Sequence, residues 1–254
     1  MQKDLKVRGL STKDRLSQVE DQFKFWQSSG VKTGPAAPKG QTRFITISRE
    51  YGCAGFRIAD SLAEILNDQP SPGQPPWTVY DHKLIDTVCQ DHNLSRMLVR
   101  DMDNQRKFQF GEIVTGIFTG EPSSLQVFKK FAETIFKLAA NGRVILIGRG
   151  SSVITSKLRG GLHVRVVAPM DWRVKQVAEF EDISDLKEAR RYVEKNDRER
   201  GRFVQDYCAA DLKEPSLYDL ICNQQRLGVE GIIDLIVKAI AFKEKQVQPE
   251  LQTV

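Results

Sequence analysis

Residues 49–57 form a segment that could bind phosphate through its backbone. The segment, REYGCAGFR, contains two glycines and lies between an apolar run and a run with helical spacing. In such a loop, backbone N–H groups and the N-terminus of the following helix can hold an anion. The pattern G-x-x-x-x-G-K-[ST] is absent, so a plain strand-to-helix turn is the alternative interpretation. The candidate phosphate-binding residues are Gly52, Cys53, Ala54, Gly55, Phe56 and Arg57.

Asp81 and Arg149 form a second group of candidates, because each directly follows a short apolar run or its closing glycine. A carboxylate in this position can orient an acceptor hydroxyl or hold Mg²⁺, and an arginine can bind phosphate bidentately. Either residue alone could equally form a surface salt bridge or a helix cap. Their positions after two successive predicted strands favour a shared site.

A dense group of arginines, DRERGR, occupies residues 197–202 at the end of a predicted helix. Such a run is often only a solvated charged face. The alternative is a mobile lid whose arginines neutralise a transferring phosphoryl group, a reaction that depends mainly on positioning and charge stabilisation. Arg198 and Arg200 are the candidates for this role.

The elements that must position these residues alternate between strands and helices, which predicts an α/β fold with a parallel sheet. In such a sheet, ligands bind at the carboxyl ends of the strands. The loop at Gly52, Asp81 and Arg149 should therefore converge on one edge. The predicted strands are residues 43–48, 78–80, 144–147, 163–168 and 218–222.

The chain divides into three parts on this interpretation. Residues 1–41 comprise a helix near 12–28 and a linker, residues 42–245 the main domain, and residues 246–254 a tail. The helix carries apolar residues at spacings of three and four, so it either packs on the main domain or binds a partner, as in a homodimer. Residues 83–141 lack strand patterns, which predicts a helical lobe inside the main domain.

Composition narrows the class of protein. The net charge of +5 lacks the sharp basic cluster of most nucleic-acid binders, so no nucleic-acid partner is expected. Four cysteines without a C-x-x-C pair indicate neither zinc nor a disulfide framework. Because no signal peptide or bilayer-length apolar run is evident, we expect a cytoplasmic location and no membrane partner.

Five segments, in order, resemble the cytidylate-kinase-like family: ITISREYGCAGFRIADSLAEIL, VYDHKLID, VILIGRGSSVI, VRVVAPMDWRV and NDRERGRFVQDYC to LYDLICN. The resemblance spans roughly residues 42–240. It implies a three-layer P-loop kinase fold with a five-stranded parallel sheet. It also implies that residues 83–141 are a monophosphate-binding insert and that residues 184–215 are a lid.

The resemblance further implies a small nucleotide substrate, with ATP and Mg²⁺ as cofactors. Residues from Gly52 to Gly55 would hold the ATP phosphates, Asp81 and Arg149 would face the acceptor monophosphate, and Arg198 and Arg200 the transferring phosphate. The expected activity is transfer of phosphate from ATP to a nucleoside monophosphate such as CMP, or to a related small acceptor.

The loop departs from the family's usual G-S-G-G-R-E, because Ala54 replaces a glycine and Phe56 stands at the arginine position. Arg57 follows about 100° further around the helix. Ala54 would be unfavourable if its φ were positive. We therefore expect an active enzyme that binds ATP weakly. One alternative is a catalytically inactive regulatory or scaffold protein on the same fold. The other is a kinase that acts on a non-nucleotide hydroxyl.

Overall fold

Five parallel strands form the central sheet of the computed structural model, which describes residues 12–28, 41–68, 73–91 and 122–245. The strand order is β2-β3-β1-β4-β5. The parallel sheet of the sequence prediction is thus confirmed. The strands are β1 (Phe44–Arg49), β2 (Thr78–Tyr80), β3 (Val144–Ile147), β4 (Gly161–Val167) and β5 (Leu220–Asn223).

Each strand in the described ranges is followed by a helix, because parallel strands need long crossover connections that are usually helical. They are α1 (Thr12–Ser28), α2 (Gly55–Asn67), α3 (His82–Gln90), α4 (Pro122–Asn141), α5 (Ser151–Ile154), α6 (Met170–Phe180), α7 (Leu186–Cys208) and α8 (Gln224–Lys245). None of the described helices is both long enough and apolar enough to cross a bilayer.

The last strand begins two residues later than the sequence pattern predicts. A short 3₁₀ turn, Pro215–Leu217, precedes it, and the N–H of Tyr218 bonds to the carbonyl of Pro215. Asp219 then exchanges two hydrogen bonds with the backbone of His163, one through its N–H and one through its carboxylate, both at 2.7 Å. The turn and this exchange delay the ladder until Leu220.

Successive side chains of β1 point to opposite faces of the sheet and pack into two separate cores. The domain therefore has three layers. Ile45 and Ile47 pack with α2 and α8 on one face. Phe44 packs on the other face with α3 and with the buried residues of α4, including Phe136 and Leu138.

The N-terminal helix packs on the main domain, the first of the two alternatives given above. Val19, Gln22 and Phe23 are buried. The side-chain amide of Gln22 donates to the carbonyls of Pro76 and Arg143, both at 3.1 Å, and its oxygen accepts from the Tyr80 hydroxyl at 2.6 Å. Because β2 is an edge strand of the sheet, α1 covers that edge. A homodimer through this helix or the insert stays a prediction.

The predicted insert is described only in part, whereas the predicted lid, residues 184–215, lies wholly within the described ranges. Residues 92–121 lie outside the described ranges, so the helical prediction for them is untested, while α3 and α4 lie at the two ends of the insert. The predicted lid contains α7, a continuous helix of 23 residues whose N-cap, Asp185, accepts a hydrogen bond from the N–H of Lys187. The predicted tail, residues 246–254, lies outside the described residues too.

Candidate functional site

Asp81 directly follows β2 and forms the N-cap of α3. One carboxylate oxygen accepts a hydrogen bond from the N–H of Leu84 at 2.8 Å, which satisfies one of the unpaired donors at the helix start. The second oxygen lies 4.0 Å from a guanidinium nitrogen of Arg15 in α1. The cap therefore fixes the carboxylate at the carboxyl edge of the sheet.

Arg149 follows β3 in a left-handed backbone segment. Gly148, Arg149 and Gly150 have φ values of 71°, 55° and 68°, and for the arginine this conformation costs energy that the surroundings must supply. The Arg149 guanidinium donates to Asp86 of α3 at 2.9 Å and lies 5.3 Å from the ring centre of Phe203. The strained turn directs the side chain over the same edge as Asp81.

Arg49, the last residue of β1, lies at the centre of the site. Its aliphatic stem runs beside Gly55, and a Cβ added at Gly55 would lie 3.1 Å from the Cγ of Arg49. Its guanidinium occupies the space beside Gly148. Burial, with added repulsion from Arg200, lowers the pKa of Arg49 to about 10, and Asp81 opposes that shift. Arg49 begins the segment 49–57 singled out above but is not among its candidate residues, although its place at a strand end is the same signal that identifies Asp81.

Arg200, on α7, faces the loop that follows β1. Its guanidinium lies 4.8 Å from the ring centre of Tyr51 and 3.5 Å from the carbonyl of Arg49. Burial lowers the pKa of Arg200, and the charge of Asp197 partly opposes this shift. Arg198 is exposed on the same helix, because residues two apart on a helix point about 200° from each other. The structure thus brings Arg200, but not Arg198, to Arg49.

The loop after β1 is held together by acceptors from its own chain. The N–H of Tyr51 donates to Asp197 at 2.7 Å, and that of Ala54 donates to the side chain of Gln224 at 2.8 Å. The N–H groups of Cys53 and Gly55 bond within the loop, to the carbonyls of Glu50 and Cys53. The N–H of Glu50 also bonds, to the carbonyl of Val166, so five of the loop's donors are engaged before any ligand binds.

The structure shows the backbone of Ala54 and the direction of the Arg57 side chain. Ala54 has a φ of −79°, so the strain expected from a positive φ does not arise. Arg57 turns away from the loop to pair with Glu230 of α8 at 2.9 Å. Gly52 does have a positive φ of 89°, and a Cβ there would lie 3.0 Å from Arg173 in α6. Gly52 therefore permits close contact between the loop and α6.

Cys53 and Phe56 take different roles at the start of α2. Burial, followed by the charge of Glu50, raises the pKa of the Cys53 thiol to about 12, so it stays protonated near neutral pH. The ring of Phe56 carries the Arg15 guanidinium 4.0 Å from its centre. Phe56 therefore contacts a cation of α1 at the position where the family's loop has an arginine.

Arg173 ties this region together from α6 and is a further residue that sequence reasoning missed. Buried, it bonds to the carbonyls of Tyr51 and Ala168, both at 2.9 Å, and to the carboxylate of Asp197 at 2.6 Å. Glu50 lies 3.3 Å from it. Its position in mid-helix gives no sequence signal, since the partners come together only in the fold.

The arrangement is suited to binding anions. Arg200 and Arg149 both act on the charge of Arg49, and Asp81 is the carboxylate that opposes them. Guanidinium groups that are partly withdrawn from water favour phosphate groups. Within the described ranges, no three His, Cys, Asp or Glu side chains group together in a way that could hold a metal ion.

The fold is an α/β fold consistent with that of P-loop kinases, and arginine side chains lie at the carboxyl edge of its parallel sheet. Residues 44–226, more than half of the chain, match the cytidylate kinase-like family. The chain belongs to that family, which confirms the resemblance noted in the sequence.

Individual relatives agree with this assignment. The chain is 29% identical to a cytidylate kinase from Staphylothermus marinus over 147 residues, which cover 55% of this chain and 76% of the relative. It is 26% identical to a cytidylate kinase from Methanocaldococcus jannaschii over 129 residues, or 46% and 72% of the two chains. The fold is similar to that of an uncharacterized protein from Eubacterium ventriosum, with a TM-score of 0.60 and 22% identity over 79% of this chain and 99% of that one.

Proposed function

We propose that the protein transfers the γ-phosphate of ATP to a nucleoside monophosphate such as CMP. The single observation that carries the proposal is the gathering of Arg149, Arg200 and Asp81 about Arg49, whose guanidinium lies beside Gly148 and whose carbonyl lies 3.5 Å from Arg200. Guanidinium groups gathered in this way suit the phosphates of two substrates brought together. The relatives named cytidylate kinase support CMP as the first acceptor to test.

Each side chain has a distinct part in the proposed reaction. Arg149 holds the acceptor phosphate, and Asp81 orients the acceptor. A phosphate oxygen of the acceptor attacks the γ-phosphorus while the bond to the bridging oxygen of ADP breaks. Arg49 and Arg200 stabilise the charge that is shared among the phosphoryl oxygens in the transition state.

The loop fits ATP in part. The N–H groups of Phe56 and Arg57 lie in the first turn of α2, where donors have no partner within the helix and can contact phosphate. Those of Tyr51 and Ala54 already have acceptors. We therefore assign most of the triphosphate binding to arginine side chains. Mg²⁺, which usually keeps its waters and takes one or two carboxylates, would neutralise phosphate charge beside Asp81.

The test is a phosphate-transfer assay with the full chain, radiolabelled Mg-ATP and a panel of acceptors. CMP, dCMP, UMP, AMP and GMP are compared with hydroxyl compounds that carry no base. Formation of labelled CDP, lost in Asp81→Asn, is the expected result. Transfer only to a hydroxyl acceptor would replace the nucleotide assignment with the non-nucleotide one. No transfer to any acceptor would reject the enzyme.

A second candidate is a catalytically inactive nucleotide-binding regulatory or scaffold protein. The occupied N–H groups favour it, because Asp197 and Gln224 hold positions on the loop that a phosphate would otherwise use. Isothermal titration with Mg-ATP separates the two candidates. Heat without turnover indicates the inactive protein, and no heat at millimolar ATP from a folded sample rejects the kinase.

Gln224 provides a direct probe of that competition. Gln224→Ala frees the N–H of Ala54, and we expect ATP to bind several-fold more tightly, the value of one modest hydrogen bond. Gln225→Ala, at an exposed neighbouring position, is the matched control. Weaker binding in Gln224→Ala would show that the side chain supports the loop instead of competing for it.

A further inference from the structure

The N-terminal helix reaches the candidate site from outside the segment that matches the family. Gln22 is anchored to carbonyls at Pro76 and Arg143, just before β2 and β3 begin. Arg15 lies seven residues earlier, about 10 Å along the helix axis at 1.5 Å per residue. The helix therefore runs antiparallel to β2 and delivers Arg15 to the carboxyl edge of the sheet.

Arg15 contacts three parts of the site at once. Its guanidinium lies 4.0 Å from the ring centre of Phe56, 3.9 Å from a carboxylate oxygen of Asp60 and 4.0 Å from one of Asp81. The side chain is only 14% exposed. A guanidinium that is stacked on an aromatic ring and shielded from water is attracted to it more strongly than an exposed one. The aromatic ring and two carboxylates thus hold the cation in place.

We propose that Arg15 is a positioning residue for Asp81. The N–H of Leu84 fixes one oxygen of the Asp81 carboxylate, and the other oxygen faces Arg15. Arg49 is the competing cation, since its guanidinium lies beside Gly148 at the end of β3, the strand next to β2, and Asp81 acts on its charge. Without Arg15, the free oxygen turns toward Arg49 and neutralises a guanidinium that the proposed function assigns to the transferring phosphate. Arg15 keeps Asp81 directed to the acceptor and leaves Arg49 available.

The inference rests on the proposed function for its kinetic test. The full chain is compared with Arg15→Gln, Arg15→Lys and Lys24→Ala. The last variant removes an exposed cation of the same helix that pairs with Asp21, three residues earlier. We expect Arg15→Gln to lower kcat/KM for CMP about tenfold, as loss of a charge at this range in partly screened surroundings predicts. Arg15→Lys should recover most of the loss, and Lys24→Ala should match the native chain.

A merely structural role would give a different pattern. Arg15→Gln and Arg15→Lys would then lower the midpoint of thermal unfolding while kcat and KM per folded molecule stay unchanged, and that result would overturn the inference. Phe56→Leu keeps the apolar contact but removes the aromatic face, so it should reproduce part of the kinetic loss.

Binding of inorganic phosphate separates this inference from the proposed function. If the native chain transfers no phosphate, the proposed function fails, and isothermal titration with phosphate decides the role of Arg15. About tenfold weaker binding in Arg15→Gln than in the native chain, with Lys24→Ala unchanged, supports the inference. Equal binding by all the variants, or no binding by the native chain, overturns it.

Discussion

The guanidinium of Arg49 fills the space beside Gly148, so that a Cβ at position 148 would overlap its Nη1 atom. Arg49 ends β1 and Gly148 follows β3, and these strands are hydrogen-bonded neighbours with Ile47 opposite Ile147. Arg49 can therefore extend across the end of the adjacent strand only because residue 148 has no side chain. The position of the central cation of the site depends on this glycine.

Gly148→Ala should displace Arg49 and weaken binding of CMP or phosphate by about tenfold or more, the loss of a charge-assisted contact. Gly73→Ala is the matched control, because Gly73 has a φ of 74° against 71° for Gly148 but no atom within 4 Å of its Cβ position. Both variants carry similar backbone strain. Isothermal titration that finds equal binding in the two would show that Gly148 matters only for its backbone.

Arg49→Met should stabilise the fold and abolish function. The lowered pKa means that the charged guanidinium is less favourable in the folded chain than in the unfolded chain, so at pH 7 its charge opposes folding. We expect the free energy of unfolding, from urea denaturation, to rise by about 1–3 kcal/mol. Arg159→Met, at an exposed position, should change neither stability nor turnover. A less stable Arg49→Met chain would contradict this reasoning.

Arg200→Ala should reduce kcat by about 100-fold, as removal of a group that stabilises transition-state charge does in other enzymes. Circular dichroism should show an intact fold. Arg202→Ala removes an exposed arginine from the same helix and should leave kcat unchanged. Arg198→Ala tests the role predicted for Arg198 from the sequence. Because the Arg198 side chain is exposed, we expect a much smaller decrease in kcat than in Arg200→Ala.

Stability should fall as the pH drops below about 6.5 because of His163. Burial lowers the pKa of His163 from its ordinary value of 6.5, and its Nδ1 lies 2.8 Å from the hydroxyl of Thr46. The unfolded chain therefore binds a proton at a higher pH than the folded chain, and acid favours unfolding. The contribution of His163 to stability is complete above the pKa that it has in the unfolded chain. This contribution is lost as the pH falls toward the pKa that it has in the folded chain.

Thermal unfolding measured between pH 8 and pH 5 checks this prediction. His163→Gln should flatten the decline of the midpoint below pH 6.5. His82 also has a lowered pKa through burial, so His82→Gln should flatten it further. A native-like slope in the chain that carries both substitutions would show that carboxylates account for the acid sensitivity.

The sheet was largely predictable because its strands are short apolar runs between turns. β2 and β3 occur where their residue patterns predict them, whereas β5 starts later because tertiary hydrogen bonds from Asp219 delay it. The rule that ligands bind at the carboxyl ends of strands also led to Asp81 and Arg149. These features depend on local pattern and sheet direction, which a sequence does record.

The remaining site residues depend on packing between distant segments. Helical phase shows that Arg198 and Arg200 face different directions, but only the packing of α7 shows which of them meets Arg49. The sequence around Arg15 does not indicate a role in the site, because the residues that it contacts lie tens of residues later in the chain. Arg173 is likewise distinguishable from a surface arginine only through the acceptors that surround it.

Docking of α1 also bears on when the protein can complete its folding. Gln22 bonds to the carbonyl of Arg143, 121 residues away, and Arg200 meets Arg49 across 151 residues. Contacts between such distant segments must overcome the entropy of closing long loops, and they form slowly. A chain emerging from the ribosome therefore carries α1 without its binding surface until β3 has been synthesised, and the exposed Val19 and Phe23 are then available to chaperones.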